Sequence, residues 1–268
     1  FGWFPPCWLA SIDGLGLDFN VYTGKNSGQD GENYNGSDAK LRNIIMVLDI
    51  AKADFVTQRN ELFNFFQPRS IGTLYYYEGD ESRKIGYYVE KVEPGGTNND
   101  ATRTLTISLI CPNPKWYALQ DQLTQLAIWE GRITFPLRIH PPFVVAEKVN
   151  TLIGNVYNPS AVPMGLTVKF TASGEVVNPS LYDVNRYDLM KINTTMHAGD
   201  QIIITTSNGN KRVQLISGGV TTNINNLMAY PPKWLQAYQG DNLFRYNADE
   251  GIDNLSVSIL STQAYWGA

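Results

Sequence analysis

One segment of this chain repeats its apolar residues with the period of a helix, and almost all the rest alternates or clusters as strands do. The fold is therefore expected to be mainly β, with one helix available to cover a sheet. The helical segment runs from Asp54 to Phe66, where Leu62, Phe63 and Phe66 lie seven, eight and eleven residues after Phe55 and are expected to share its face. Pro68 ends it. Just upstream, Leu41 to Ile50 (LRNIIMVLDI) is a short run of branched residues and reads as a buried central strand.

Three further strands are predicted at Thr73 to Glu78, Lys84 to Val92 and Thr102 to Cys111, with turn signals at Gly79-Asp80 and Gly95-Gly96. In the last of them Leu105, Ile107, Leu109 and Cys111 alternate with Thr104, Thr106 and Ser108. These elements make an α+β unit whose sheet lies under the Phe-rich amphipathic helix. Between Thr23 and Ala39 the tract TGKNSGQDGENYNGSDA reads as a long surface loop.

A length of 268 residues favours two domains over one. From Pro136 to Val145 the composition shifts and His140-Pro141-Pro142 blocks regular structure, so the boundary is placed there, giving domains 1–145 and 146–268. Beyond it no helical period is visible. Short strands recur at Leu166 to Thr171, Gln201 to Thr206, Arg212 to Ile216 and Leu255 to Leu260, and Asn208-Gly209 is the strongest hairpin signal. This half reads as a β-sandwich of the jelly-roll kind.

Several functions lack the residues they need. A formal charge of −4 offers no basic field for phosphates, so nucleic acid is not an expected partner. No run approaches the ~20 apolar residues of a membrane span, and Phe1-Gly2-Trp3-Phe4-Pro5-Pro6 lacks the basic region of a signal peptide. Cys7 and Cys111 are read as unpaired thiols. The two histidines, His140 and His197, sit in loop contexts, and neither H-E-x-x-H, G-x-S-x-G nor a zinc-spaced cysteine pair occurs. Gly24-Lys25 fails as a phosphate loop, because Phe19 holds the place of the first glycine; Asp30-Gly31-Glu32-Asn33 fails the calcium-loop offsets. No catalytic, cofactor-binding or metal-binding residue is assigned, and the chain is not expected to be an enzyme.

The remaining candidates are aromatic. Tyr230, Trp234 and Tyr238 cluster in YPPKWLQAY, where their faces could stack on a sugar or meet a protein partner, or simply pack on their own domain.

The order of elements, with several short motifs, resembles the bacteriophage distal tail protein family. Pro5 to Val21 (PPCWLASIDGLGLDFNV) is similar to its N-terminal segment around Ile12-Asp13-Gly14. Arg42 at the head of a strand, Arg59 and Leu62 on the helix, Pro68, Gly72-Thr73-Leu74, and Ile107 to Asn113 leading into Pro114 and Tyr117 follow in the family's order. In the second half Asn155, Asn158-Pro159, Gly199-Asp200 and Gly240-Asp241-Asn242 resemble its sandwich domain, while Asn158-Pro159-Ser160 departs from a common glycine-aspartate pair.

The resemblance implies a β-barrel-like first domain that assembles into a six-fold homo-oligomeric ring, and a galectin-like or carbohydrate-module-like second domain. It further implies a virion structural protein at the distal end of the tail, joining tail tube protein to tail-tip proteins and docking a receptor-binding protein. The other reading of the residues is an adhesin whose second domain contacts cell-wall carbohydrate.

Overall fold

The computed structural model describes residues 7–97, 101–131, 146–150 and 152–268. The chain forms two compact units: Phe1–Leu119 together with Tyr265–Ala268, and Gln120–Ala264. The second unit is thus inserted into the first, and the last four residues return to where the chain began. The boundary expected at Pro136 to Val145 lies outside the described residues. Ala127–Gly131 and Ala146–Asn150, on either side of it, pair with each other inside the second unit.

The first unit contains β1 (Cys7–Asp13), β2 (Phe19–Gly24), β3 (Asn33–Ala39), β4 (Arg42–Ala51), α1 (Phe55–Phe65), β5 (Ile71–Glu78), β6 (Glu81–Thr97), β7 (Thr102–Cys111) and β8 (Trp116–Ala118). Its main sheet runs β1-β4-β7-β6, with β5 and β8 also paired to β6. The predicted central strand is central, but β4 pairs with β7 and β1 and has no pairing to β5. Its alternate residues Ile44, Met46, Leu48 and Ile50 face inward beside Leu105, Ile107, Leu109 and Cys111 of β7. Phe55, Leu62 and Phe66 from the helical segment close this core, each full burial contributing about 1.5–3 kcal/mol. Phe63 is exposed instead. At 3.6 residues per turn it sits roughly 80° around the helix from Phe55, at the rim of the buried stripe.

Two expectations are corrected here. Thr23 to Ala39 is not a loop throughout: β3 pairs with β2 as a two-stranded hairpin from Phe19↔Ala39 to Gly24↔Asn33. The hairpin buries little on either face, so its residues carry none of the alternation that marks a half-buried strand. Gly95-Gly96 does not turn the chain either; it lies within β6, where pairing to β7 slips between Pro94 and Thr97. Such a bulge uses the same small residues as a turn.

The second unit follows as β9 (Gln122–Gln125), β10 (Ala127–Gly131), β11 (Ala146–Asn150), β12 (Ile153–Asn158), β13 (Met164–Ala172), β14 (Val176–Val177), β15 (Ser180–Asp183) and β16 (Asp188–Lys191). It continues through β17 (Thr195–Met196), β18 (Gln201–Thr205), β19 (Arg212–Ser217), β20 (Val220–Asn223), β21 (Gln236–Ala237), β22 (Gly240–Asn247) and β23 (Leu255–Ser261), before β24 (Ala264–Tyr265) leads back to the first unit beside β8. One sheet is ordered β20-β19-β18-β13-β23-β9 and the other β12-β22-β15-β16. Leu166, Val168, Phe170, Ile202, Ile204, Val257 and Ile259 of the first sheet form one core with Val156, Leu181, Met190, Phe244 and Tyr246 of the second. That is the expected sandwich. The Asn208-Gly209 hairpin exists with a longer connection than two residues, because β18 and β19 begin pairing at Thr205↔Arg212.

Candidate interaction surfaces

The short motifs of the first unit converge on one side chain. Arg42 is only 5% exposed, and it donates to four backbone carbonyls: from Nε to Pro114 at 3.0 Å, from Nη1 to Gly14 at 2.7 Å and to Gly16, and from Nη2 to Trp266 at 2.6 Å. The guanidinium also lies 5.9 Å from the Trp116 ring. Burial pushes its pKa below the ordinary arginine value. It stays a cation, since no protein environment brings arginine near neutrality. Its fork therefore ties the turn after β1, the loop after β7 and the returning tail to the head of β4.

Gly14 and Gly72 have the same structural purpose. Gly14 adopts φ +86°, and a Cβ there would stand 2.0 Å from the Asn43 carbonyl oxygen. At Gly72 a Cβ would stand 2.3 Å from the Tyr87 ring, which lies across it. A second arginine holds the tail farther along: Arg83 Nη1 donates to the Gly267 carbonyl at 2.6 Å, and its guanidinium sits 4.2 Å from the Tyr265 ring centroid. Trp266 meets Phe19 of the hairpin edge-on at 5.7 Å, with the Lys115 ammonium 5.3 Å from the indole ring centroid.

An open cavity of about 250 Å³ adjoins Arg42, lined by Gly14, Leu17, Asp18, Lys40, Asn43 and Pro114 among others. Its charged groups are engaged, Arg42 by carbonyls and Lys40 by Asp18 at 3.0 Å. Among the described residues no three His, Cys, Asp or Glu side chains are placed to hold a metal ion, and no helix is long and apolar enough to cross a membrane. Cys7 and Cys111 are free thiols; burial raises both above the ordinary thiol value, Cys111 to about 11.

What the first unit does offer is exposed aromatic surface at strand edges. Among the described residues β1, β5 and β24 each have a strand neighbour on one side only in the main sheet, and the outward face of β5 carries Ile71, Tyr75 and Tyr77. The β2–β3 hairpin adds Val21, Tyr22 and Tyr34.

In the second unit the three aromatic candidates part company. Trp234 is half-buried against the sandwich core, as a packing residue would be. Tyr230 is 95% exposed, while Tyr238 is 37% exposed with the Arg186 guanidinium 3.7 Å from its ring centroid. The motif residues beside them are again structural. Buried Asn242 donates to the carbonyls of Tyr238 (2.6 Å), Gly240 (3.0 Å) and Val156 (3.2 Å). Asn158 donates to the carbonyls of Val162 and Ala237 while accepting from the Ser160 N–H, which closes the turn locally. Sequence reasoning overlooked Tyr187, 80% exposed at φ 62°, because a single tyrosine in a polar turn has no periodicity to flag it.

No known protein-family profile and no curated protein sequence matches the chain. Solved structures do match in fold, and they come from phage tail hub and baseplate assemblies. The Dit protein (gp 19.1) of phage SPP1, described as a paradigm of the hub adsorption apparatus in phages infecting Gram-positive bacteria, aligns over 96% of this chain and 93% of its own, with TM-score 0.68 and 13% identity. A chain of the phage P2 baseplate in its activated conformation with Ca aligns over 98% and 92%, with TM-score 0.54 and 11% identity. The same baseplate with Sr gives TM-score 0.54 and 12% identity over 98% and 92%.

Proposed function

We propose that this chain is a structural subunit of a phage tail hub, a member of the distal tail protein family that assembles as a six-fold ring at the end of the tail. In this reading the first unit forms the ring and joins the tail tube to the tip, and the second docks tip or receptor-binding proteins. The observation that carries the proposal is the fold likeness to a phage hub protein across 96% of the chain, a share that neither unit could supply alone.

The surfaces suit such a role. A closed ring pairs two different patches on each subunit, and unpaired strand edges such as β1 and β5 are what a neighbouring copy can cover. Exposed tyrosines on β5 and on the hairpin supply the large, low-entropy contacts that interfaces favour. Nothing in the reading calls for catalysis.

Electron microscopy of the purified chain, with sedimentation to count copies, tests it. Rings of six are expected, and antibody label at the tail tip of intact virions. A chain that remains monomeric at high concentration and is missing from the tail would refute the assignment.

A further inference from the structure

We infer that the second unit carries a saccharide-binding strip along the outer edge of β16, with Tyr230 and Tyr187 as its stacking platforms and Arg186 and Tyr238 as its fixed polar end. The strip is built by the loop that follows Met228. That loop is pinned at one end of β16 by the Ile192↔Met228 bridge and by the Ala229 N–H donating to the Lys191 carbonyl at 2.9 Å. At the other end Lys233 pairs with Asp188 at 2.7 Å. The loop thus lies beside β16 over the ~10 Å that its strand rise spans. This length suits an oligosaccharide better than a single sugar.

Tyr187 is set in place by its backbone. Asp183, itself 1% exposed, accepts from the N–H groups of Asn185 at 3.0 Å and Arg186 at 3.1 Å through Oδ1, and its carbonyl accepts from the Tyr187 N–H at 2.9 Å. This holds a non-glycine residue at φ 62° with its ring in solvent, an arrangement of the kind found where a side chain must be presented. On the next residue back, Arg186 is stacked on Tyr238 at 3.7 Å, so its remaining N–H groups are oriented before any ligand arrives.

The chemistry favours sugar over protein. The rings on this strip are phenols flanked by charged pairs that neutralise each other, Lys233 with Asp188 and Arg186 with Asp183 at 3.7 Å. Leu189 is the aliphatic residue exposed on β16, so the strip lacks the dry apolar centre of a protein interface. Nor can a partner strand add readily to this edge, since the loop already bonds to Lys191 and Asn193. Aromatic faces beside pre-oriented donors are what an amphipathic pyranose presents itself to: C–H faces on the ring, hydroxyls to the guanidinium.

The inference rests on the hub reading only for where the strip would meet its ligand, at the host cell wall. It is tested on the full chain with an array of hexose, deoxyhexose and N-acetylhexosamine oligosaccharides, followed by titration calorimetry with the oligosaccharide retained best. Tyr230→Ala and Tyr187→Gly should each weaken binding by about tenfold or more, while Tyr157→Ala on β12, at the opposite edge of the same sheet, leaves it unchanged. Tyr187→Gly removes the ring and relieves the backbone at once, so it separates loss of contact from loss of fold. No retention on the array, or variants that bind as the parent does, overturns the inference. So does tip protein lost from virions carrying these substitutions when no saccharide binds, which would make the strip a protein dock. Ring formation by the same variants reports on the hub assignment separately.

Discussion

Replacing Arg42 by methionine should unfold the first unit preferentially. The substitution keeps most of the apolar stem and removes the guanidinium, leaving the carbonyls of Gly14, Gly16, Pro114 and Trp266 without the donor they share. A hydrogen bond from a charged donor contributes about 1.5–3 kcal/mol, and a stranded buried acceptor costs about 1–3 kcal/mol. Some of these carbonyls will recruit water once the cation is gone, so the sum over four is an overestimate. Loss of a buried charged network more often costs about 3–5 kcal/mol. For a unit of this size that corresponds to roughly 10–20 °C in melting temperature. Scanning calorimetry of the full chain should show the transition of the first unit displaced downward by that amount and that of the second unmoved. Limited proteolysis should release the tail beyond Tyr265 sooner. Arg42→Lys should be nearly as damaging, because one ammonium cannot span three chain segments. A first transition within about 2 °C of the parent would refute the view that this side chain holds the unit together.

Gly14→Ala should cost about 3 kcal/mol or more, read from denaturant midpoints, since the new methyl meets a backbone oxygen at 2.0 Å and the φ of +86° is strained for any side chain. Gly72→Ala should destabilise through the Tyr87 ring, and a second change, Tyr87→Leu, should recover part of the loss. Cys111, raised from 9.0 to about 11, keeps its proton in the folded state while the unfolded thiol ionises. Its contribution to stability is therefore whole below pH 9 and is lost as pH rises through 11; in Cys111→Ala the alkaline decline measured by urea titration should be shallower. Asp200 is held below its ordinary 3.8 by hydrogen bonds from Ser217 and the His197 N–H, so its contribution is present above that value and lost as pH falls through the depressed one. Asp200→Ala should lower the second transition by about 1–2 kcal/mol at neutral pH and leave the first alone.

Much of the fold was legible because burial writes itself into spacing. Ile44, Met46, Leu48 and Ile50 alternate because one face of β4 is dry, and Phe55, Leu62 and Phe66 recur because one stripe of α1 covers it. The hairpin of β2 and β3 was illegible for the converse reason: held by backbone pairing with both faces wet, it selects no side-chain pattern. The insertion of one unit into the other was equally hidden, because the return of Tyr265–Ala268 depends on Arg42 and Arg83 reaching carbonyls some two hundred residues away in the chain. At the candidate surface Tyr230 and Tyr238 were visible as aromatics. Trp234 could not be told apart from them, since only the sandwich core beside it decides that it packs inward.

The way Arg42 works also bears on how such a fold tolerates divergence. Its four acceptors are main-chain oxygens, and these are supplied by whatever residues occupy those positions provided the backbone passes through the same points. An arginine reading carbonyls constrains itself and the nearby glycines, yet leaves the side chains of its partners free, unlike an ion pair or a packed apolar contact, which constrains both members. A chain held this way can exchange most of its surface and much of its core composition while the path of the backbone persists. Alignment over nearly the whole length at 13% identity is the outcome expected of it. The exposed side chains of Tyr75, Tyr187 and Tyr230 lie elsewhere, on edges and turns outside the set of carbonyls that Arg42 reads.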